Sequence, residues 1–235
     1  TPRTSSAASD VYKRQARNVA GQNLPVCFFG FDLSKEELAY RILGMEVGIE
    51  IGRIRTGRFT SEEWQLVHEK NKKLESLPIF IEDKKAISID EIKDRCRDIS
   101  MKNNEKSLGL IVIDSYQLME YSSVDDYQAQ LERNTKELKN LAKELNVPVL
   151  ITAPISGRVE ERENCRPMLS DIRDSDVLED YGDIIVMLYR DEYYDPETED
   201  RGIAELIVTT HRNGPVGTVK MLFEPQFGRY RNLAA

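Results

Sequence analysis

The run Leu108–Ile113 (LGLIVI), closed by Asp114, constrains this chain more than any other feature. A stretch with no polar residue cannot alternate between core and solvent, so it reads as a strand buried on both faces. Such strands belong to parallel sheets covered by helices. Other apolar runs flank it: Val26–Phe31 (VCFFGF) and Pro78–Ile81 before, then Val147–Thr152, Asp183–Leu188, Glu205–Thr210 and Thr218–Phe223. Segments of helical spacing separate them. Ser34–Glu37 is a capping-box pattern opening a helix with Leu38, Ile42 and Met45 on one face. Thr60–Glu63 is a second, leading to Trp64, Val67 and Leu74. Ser88–Glu91 opens a helix with Ile89, Ile92, Cys96 and Ile99 at helical spacing, and Asp125–Asn146 is long and amphipathic. The last two strands flank Asn213–Gly217 (NGPVG), a turn-rich link that predicts a hairpin.

This alternation predicts an α/β fold, a mainly parallel sheet with helices on both faces and a C-terminal β-hairpin. In such sheets ligands bind beyond the carboxyl ends of the strands. Asp32 follows the first strand, Asp114 ends the LGLIVI strand, and Ala153-Pro154 follow the next. If these strands are parallel neighbours, both carboxylates face one edge, beside any bound phosphate.

Charge and cysteine content narrow the function classes. A net charge of -8 argues against a broad nucleic-acid-binding surface, but leaves room for a local basic loop that works when several subunits ring a strand. No apolar run approaches the roughly 20 residues of a membrane span. The three cysteines, Cys27, Cys96 and Cys165, are odd in number and far apart in sequence, which fits a reducing, cytoplasmic setting rather than a disulfide framework or metal cluster. His68 and His211, the only histidines, are too far apart in sequence to read as a ligand pair. His68 reads as a surface helix residue. Trp64 and the Tyr193–Tyr194 pair read as packing residues, and 195–200 (DPETED) as a solvated loop.

Residues 1–15 are small and polar, then basic, with no apolar period. The run Asp10–Gln15 (DVYKRQ) is also what the transposase mosaic end used in sequencing libraries encodes. The sequence therefore divides into 1–15, an adapter-derived or disordered arm, and 16–235, the folded domain.

An apolar strand ending in Asp is a weak pattern alone, since a turn-forming Asp ends many strands. The residues after it sharpen the reading. Ser115–Met119 (SYQLM), Phe28–Glu36 (FFGFDLSKE), Arg55–Arg58 (RTGR), Lys143–Pro148 (KELNVP), Arg166–Arg173 (RPMLSDIR), Tyr189–Tyr194 (YRDEYY) and Arg212–Pro215 (RNGP) together resemble the C-terminal ATPase domain of DnaB-type replicative helicases over almost the whole chain from Ala16. A recombinase of the RecA type shares the fold but does not account for Tyr189–Tyr194 together with Arg212–Pro215.

The resemblance implies a RecA-like P-loop NTPase fold and ATP-dependent DNA unwinding by a hexameric ring around single-stranded DNA, with ATP between neighbouring subunits. By position, Asp114 would be the Walker B carboxylate orienting Mg²⁺, Asp32 the water-positioning base and Arg212 the finger that acts on the neighbour's ATP. Pro154 and Thr210 fall at nucleotide-contacting positions, and Arg173 with Asp174 in the DNA-contacting loop. The departures are specific. Residues 1–20 contain no glycine, so no Walker A loop can bend there, and Lys13 has no such context. Asp32 stands where the family has glutamate, Pro154 where it has glutamine, and Thr210 where it has lysine. Asp174 stands for glutamate and Asp176 for glycine. The expectation is a helicase motor domain that is itself inactive, with a non-catalytic structural or loading partner of an active helicase as the alternative.

Overall fold

The structure, a computed structural model, describes residues 7–31, 33–102, 107–116, 119 and 127–233. It divides into two compact units, residues 1–152 with 226–229, and residues 153–225 with 230–235.

The first unit is a layered α/β body. In chain order it runs α1 (Ala7–Gly21), β1 (Val26–Gly30), α2 (Lys35–Val47), α3 (Ile51–Thr56), α4 (Ser61–Glu75), β2 (Ile79–Glu82), α5 (Ile89–Lys102), β3 (Leu110–Asp114), α6 (Tyr127–Leu145) and β4 (Val149–Ile151). The strands form one sheet in the order β2-β1-β3-β4, and every pairing is parallel. The apolar runs land in the middle: β1 and β3 are buried along their whole length. Leu38, Ile42 and Met45 of α2 pack with Phe28 and Val112 of these strands, as their spacing predicts.

Local chemistry sets the helix ends. Thr60 and Glu63 form a reciprocal capping box, with Glu63 N donating to Thr60 Oγ1 at 3.2 Å and Thr60 N to Glu63 Oε2 at 2.9 Å. Ser34 accepts from Glu37 N at 3.2 Å, but the Glu37 carboxylate takes Arg41 at 3.1 Å. Trp64 departs from expectation: it is 59% exposed, against the Phe59 ring at 5.8 Å. The reason is that α4 buries only Val67, so its apolar face is too narrow to cover a second large ring.

Helix α1 crosses residues 15 and 16 without a break. Tyr12, Ala16 and Ala20 recur every fourth residue and are 2%, 0% and 1% exposed, which puts one face of the helix against the sheet. The small residue in LGLIVI permits this approach. A Cβ on Gly109 would lie 2.6 Å from Leu24 Cβ and 2.7 Å from Val19 Cγ1. Two cysteines distant in sequence, one on β1 and one on α5, also meet. Cys27 and Cys96 are both buried, and the Cys96 thiol is pushed upward by its contact with Cys27 and by burial.

The second unit holds two 3₁₀ turns (Gly157–Glu161 and Leu169–Asp171), α7 (Ser175–Tyr181), β5 (Ile184–Tyr189), α8 (Asp191–Tyr194), β6 (Ile203–His211) and β7 (Gly217–Glu224), with β8 (Arg229–Asn232) closing the sheet order β5-β6-β7-β8. Here β5, β6 and β7 pair antiparallel in turn. β5 and β6 pair antiparallel because the link between them carries only the one-turn α8, too short for a crossover helix. The hairpin predicted at Asn213–Gly217 joins β6 to β7.

Candidate functional site at the carboxyl end of the third strand

Parallel pairing of β1 and β3 sets Gly30 opposite Asp114, and Phe31 N donates to Asp114 O at 3.0 Å. The first strand therefore delivers its end beside Asp114, as the topology predicts. Asp32 lies outside the described residues.

Asp114 is 8% exposed, and each of its oxygens accepts a hydroxyl. Thr152, just past β4, donates to Oδ1 at 2.8 Å, and Tyr12 of α1 donates to Oδ2. Thr152 is held in turn by its own amide on Ile113 O at 3.1 Å and by Tyr116 N on its carbonyl at 3.3 Å. Beside them Lys13 is completely buried, its Nζ 3.4 Å from Asp10 Oδ1. Burial pushes the Lys13 amine down to about 8; Asp10 and Asp114 pull it up, and Arg41 adds to the lowering.

Mg²⁺ demands near-octahedral oxygen ligands and keeps several waters, so a carboxylate that orients it must open onto solvent. Asp114 is nearly sealed and already holds two hydroxyls. Among the described residues, no group of three or more His, Cys, Asp or Glu is arranged to hold a metal. The side chains present do not fit Mg²⁺ at Asp114.

The remaining candidates belong to the second unit. Pro154 is exposed, and its ring nitrogen carries no donor. Thr210 is half-buried in β6, opposite Ile185. Arg212 is exposed but folded back: Nε donates to Gly182 O at 2.9 Å, Nη2 to Asp180 O, and its amide to Asp183 O at 2.9 Å. Its guanidinium thus satisfies carbonyls at the end of α7. His211 packs across the hairpin turn, with Nδ1 3.2 Å from Pro215 O.

Arg173 is exposed between two fixed points. Ile172 before it is 7% exposed and bridges to Ile155. Asp174 after it takes a left-handed conformation, φ 60°, as the residue capping α7. Asp176 lies in the first turn of that helix, where the dipole favours a negative charge.

Sequence reasoning passed over Tyr12, Thr152, Arg162 and Asp171. The Tyr12–Ala16–Ala20 spacing is the one signal that marks Tyr12 as inward-facing. Nothing in the order of residues pairs Tyr12 with Asp114 or Arg162 with Asp171.

The model for the DnaB-like helicase C-terminal domain matches residues 3–232. The chain is 39% identical over 221 residues to the replicative DNA helicase DnaC of Bacillus subtilis (strain 168), covering 93% of this chain and 48% of that protein. It is 38% identical to the replicative DNA helicase DnaB of Geobacillus stearothermophilus, again covering 93% and 48%. It thus spans about half the length of the curated relatives it matches. Among solved structures it resembles one described as an ATPase domain, at TM-score 0.92 and 34% identity over 97% of this chain and 82% of that one. A DnaB-like replicative helicase solved to show its interactions with primase gives the same score and identity, covering 99% and 56%.

Proposed function

Since the chain belongs to the family of DnaB-like helicase C-terminal domains, we propose that it is the motor portion of an ATP-dependent replicative DNA helicase and that, as it stands, it does not turn over ATP. The observation that carries this is the conjunction of a helicase-domain match over residues 3–232 with an Asp114 whose two oxygens are both taken by hydroxyls. In the working assembly such domains would ring single-stranded DNA with ATP between neighbours. Arg173, which is exposed, would hold a DNA phosphate, with Asp174 at the following turn. Arg212 would leave the α7 carbonyls to reach a neighbour's nucleotide. Asp32, Pro154 and Thr210 stand at the water-positioning and phosphate-sensing places. Bound Mg²⁺ would neutralise charge on the phosphates, a task for which this chain has no open carboxylate at Asp114. Among the described residues no helix is long and apolar enough to cross a membrane.

The test replaces residues 1–15 with a phosphate loop, N-terminal domain and linker of the DnaB-type family. The graft alone is expected to restore ATP binding with low turnover. Shortening Glu to Asp at position 32 withdraws a carboxylate by about 1 Å, and a misplacement of that size costs roughly 100-fold. Turnover should then rise with Asp32→Glu, and again with Pro154→Gln and Thr210→Lys. A graft that hydrolyses ATP at full, DNA-stimulated rate would sink the divergence part of the reading. No DNA-stimulated hydrolysis after all three reversions would sink the motor reading itself. That result would leave the non-catalytic partner, which the departures at Asp32, Pro154, Thr210 and Asp176 favour.

A further inference from the structure

We propose that Asp114 is the anchor that ties α1 to the sheet, through a hydroxyl–carboxylate–hydroxyl link from Tyr12 to Thr152, and that it is not a metal-binding carboxylate in this chain. The inference rests on the reading above, in which Asp114 occupies the position of the family's Mg²⁺ carboxylate.

The Tyr12 ring is 2% exposed and lies 5.8 Å from the Phe28 ring, so the phenol cannot turn toward water. Ala16 and Ala20, on the same face of α1, keep the helix close to the strands and leave Tyr12 no lateral freedom. A buried hydroxyl that loses its acceptor bears the full desolvation cost of an unmade bond. Its acceptor on β3 is a carboxylate oxygen of Asp114. The second oxygen of Asp114 is fixed by Thr152, whose backbone is itself pinned to Ile113. The carboxylate therefore links helix α1, strand β3 and the segment after β4 at one point.

The charge balance points the same way. Lys13, completely buried next to Tyr12, is near enough to Asp114 for their charges to interact. Asp114 already has a cation in its surroundings. A divalent ion entering there would face the Lys13 charge.

The experiment uses the whole chain and requires no ATP turnover, so it is independent of the graft, which removes Tyr12 altogether. Urea unfolding is followed for the wild type, Tyr12→Phe, Asp114→Ala and the double variant. Mn²⁺ binding is followed by the electron-paramagnetic-resonance signal of the free ion. Each single substitution is expected to raise the unfolding constant about tenfold. The double variant should be scarcely worse than the more damaging single one, because both remove the same bond. The Mn²⁺ titration should be identical for wild type and Asp114→Ala. Additive effects, or Mn²⁺ binding in the wild type that Asp114→Ala abolishes, would overturn the proposal. Should Asp114→Ala fail to fold, amide exchange in Tyr12→Phe decides: faster exchange at Ala16–Ala20 supports the anchor, and unchanged exchange refutes it.

Discussion

Arg162 grips Asp171 through both terminal nitrogens, Nη1 to Oδ1 at 2.9 Å and Nη2 to Oδ2 at 2.6 Å. The same carboxylate accepts Met168 N at 2.7 Å, while Arg162 Nη2 also reaches Arg166 O at 3.0 Å. The Asp171 carbonyl takes Ser156 N at 2.7 Å. One ion pair thus staples the segment that ends in exposed Arg173 to the segment that begins at Ser156.

Breaking this staple should loosen the loop without unfolding the sheet. Asp171→Asn is expected to cost about 1.5–3 kcal/mol, the range for hydrogen bonds to charged groups, and toward the lower end because Arg162 is partly solvated. Arg162 holds the Asp171 carboxyl below its ordinary value, helped by the Met168 amide and opposed by burial. A depressed carboxyl adds stability that is present above its unfolded pKa, near 4, and is lost as pH falls through the folded value. Asp171→Asn should therefore flatten the acid limb of a melting-temperature profile below about pH 4. An unchanged limb would show that the pair has no stabilising role.

Lys13 leads to a pH dependence of the same sign in the alkaline range. Its amine titrates at about 8 in the folded chain, against 10.5 when unburied. Between those values the unfolded state binds more protons, so stability rises with pH; below about 8 the cost of the buried charge is fully present. Lys13→Met should remove the rise in melting temperature between about pH 8 and 10.

Gly109 should tolerate no side chain. The Cβ of Gly109→Ala would meet Leu24 at 2.6 Å and Val19 at 2.7 Å, and the neighbours are packed carbon atoms. Overpacking of this kind costs about 1–3 kcal/mol, measurable as a lower denaturant midpoint. The contact lies between α1 and the lead into β3, so amides of α1 should lose exchange protection first.

Thiol labelling separates the three cysteines. Cys165 is half-exposed and should react with an aromatic disulfide reagent in the native protein. Cys27 and Cys96 are buried, and the Cys96 thiol is held protonated by its contact with Cys27 and by burial. These two should react only on unfolding. Rapid native labelling of all three would contradict the packing of α5 on β1.

Residue order alone carried the parallel core. Apolar runs such as LGLIVI can be satisfied only between two covering layers, and the spacing of Leu38, Ile42 and Met45 states which face of α2 turns inward. Capping at Thr60 and the hairpin at Asn213–Gly217 are equally local, since both depend on residues within one turn of each other. Asp114 at the strand end, and Arg173 in a loop, follow from the same kind of reasoning.

Tertiary structure alone decided what those residues touch. Tyr12 and Asp114 are 102 positions apart, and their bond exists because α1 lies across β3. Arg212, read from sequence as a residue that reaches outward, is turned onto the carbonyls of Asp180 and Gly182. Trp64 sits where helical spacing would bury it and is exposed, because the buried face of α4 extends no further than Val67. Periodicity records how a segment divides itself between core and solvent. The partner of a polar group depends on which other segment arrives beside it, and that is fixed only when the sheet and its helices have assembled.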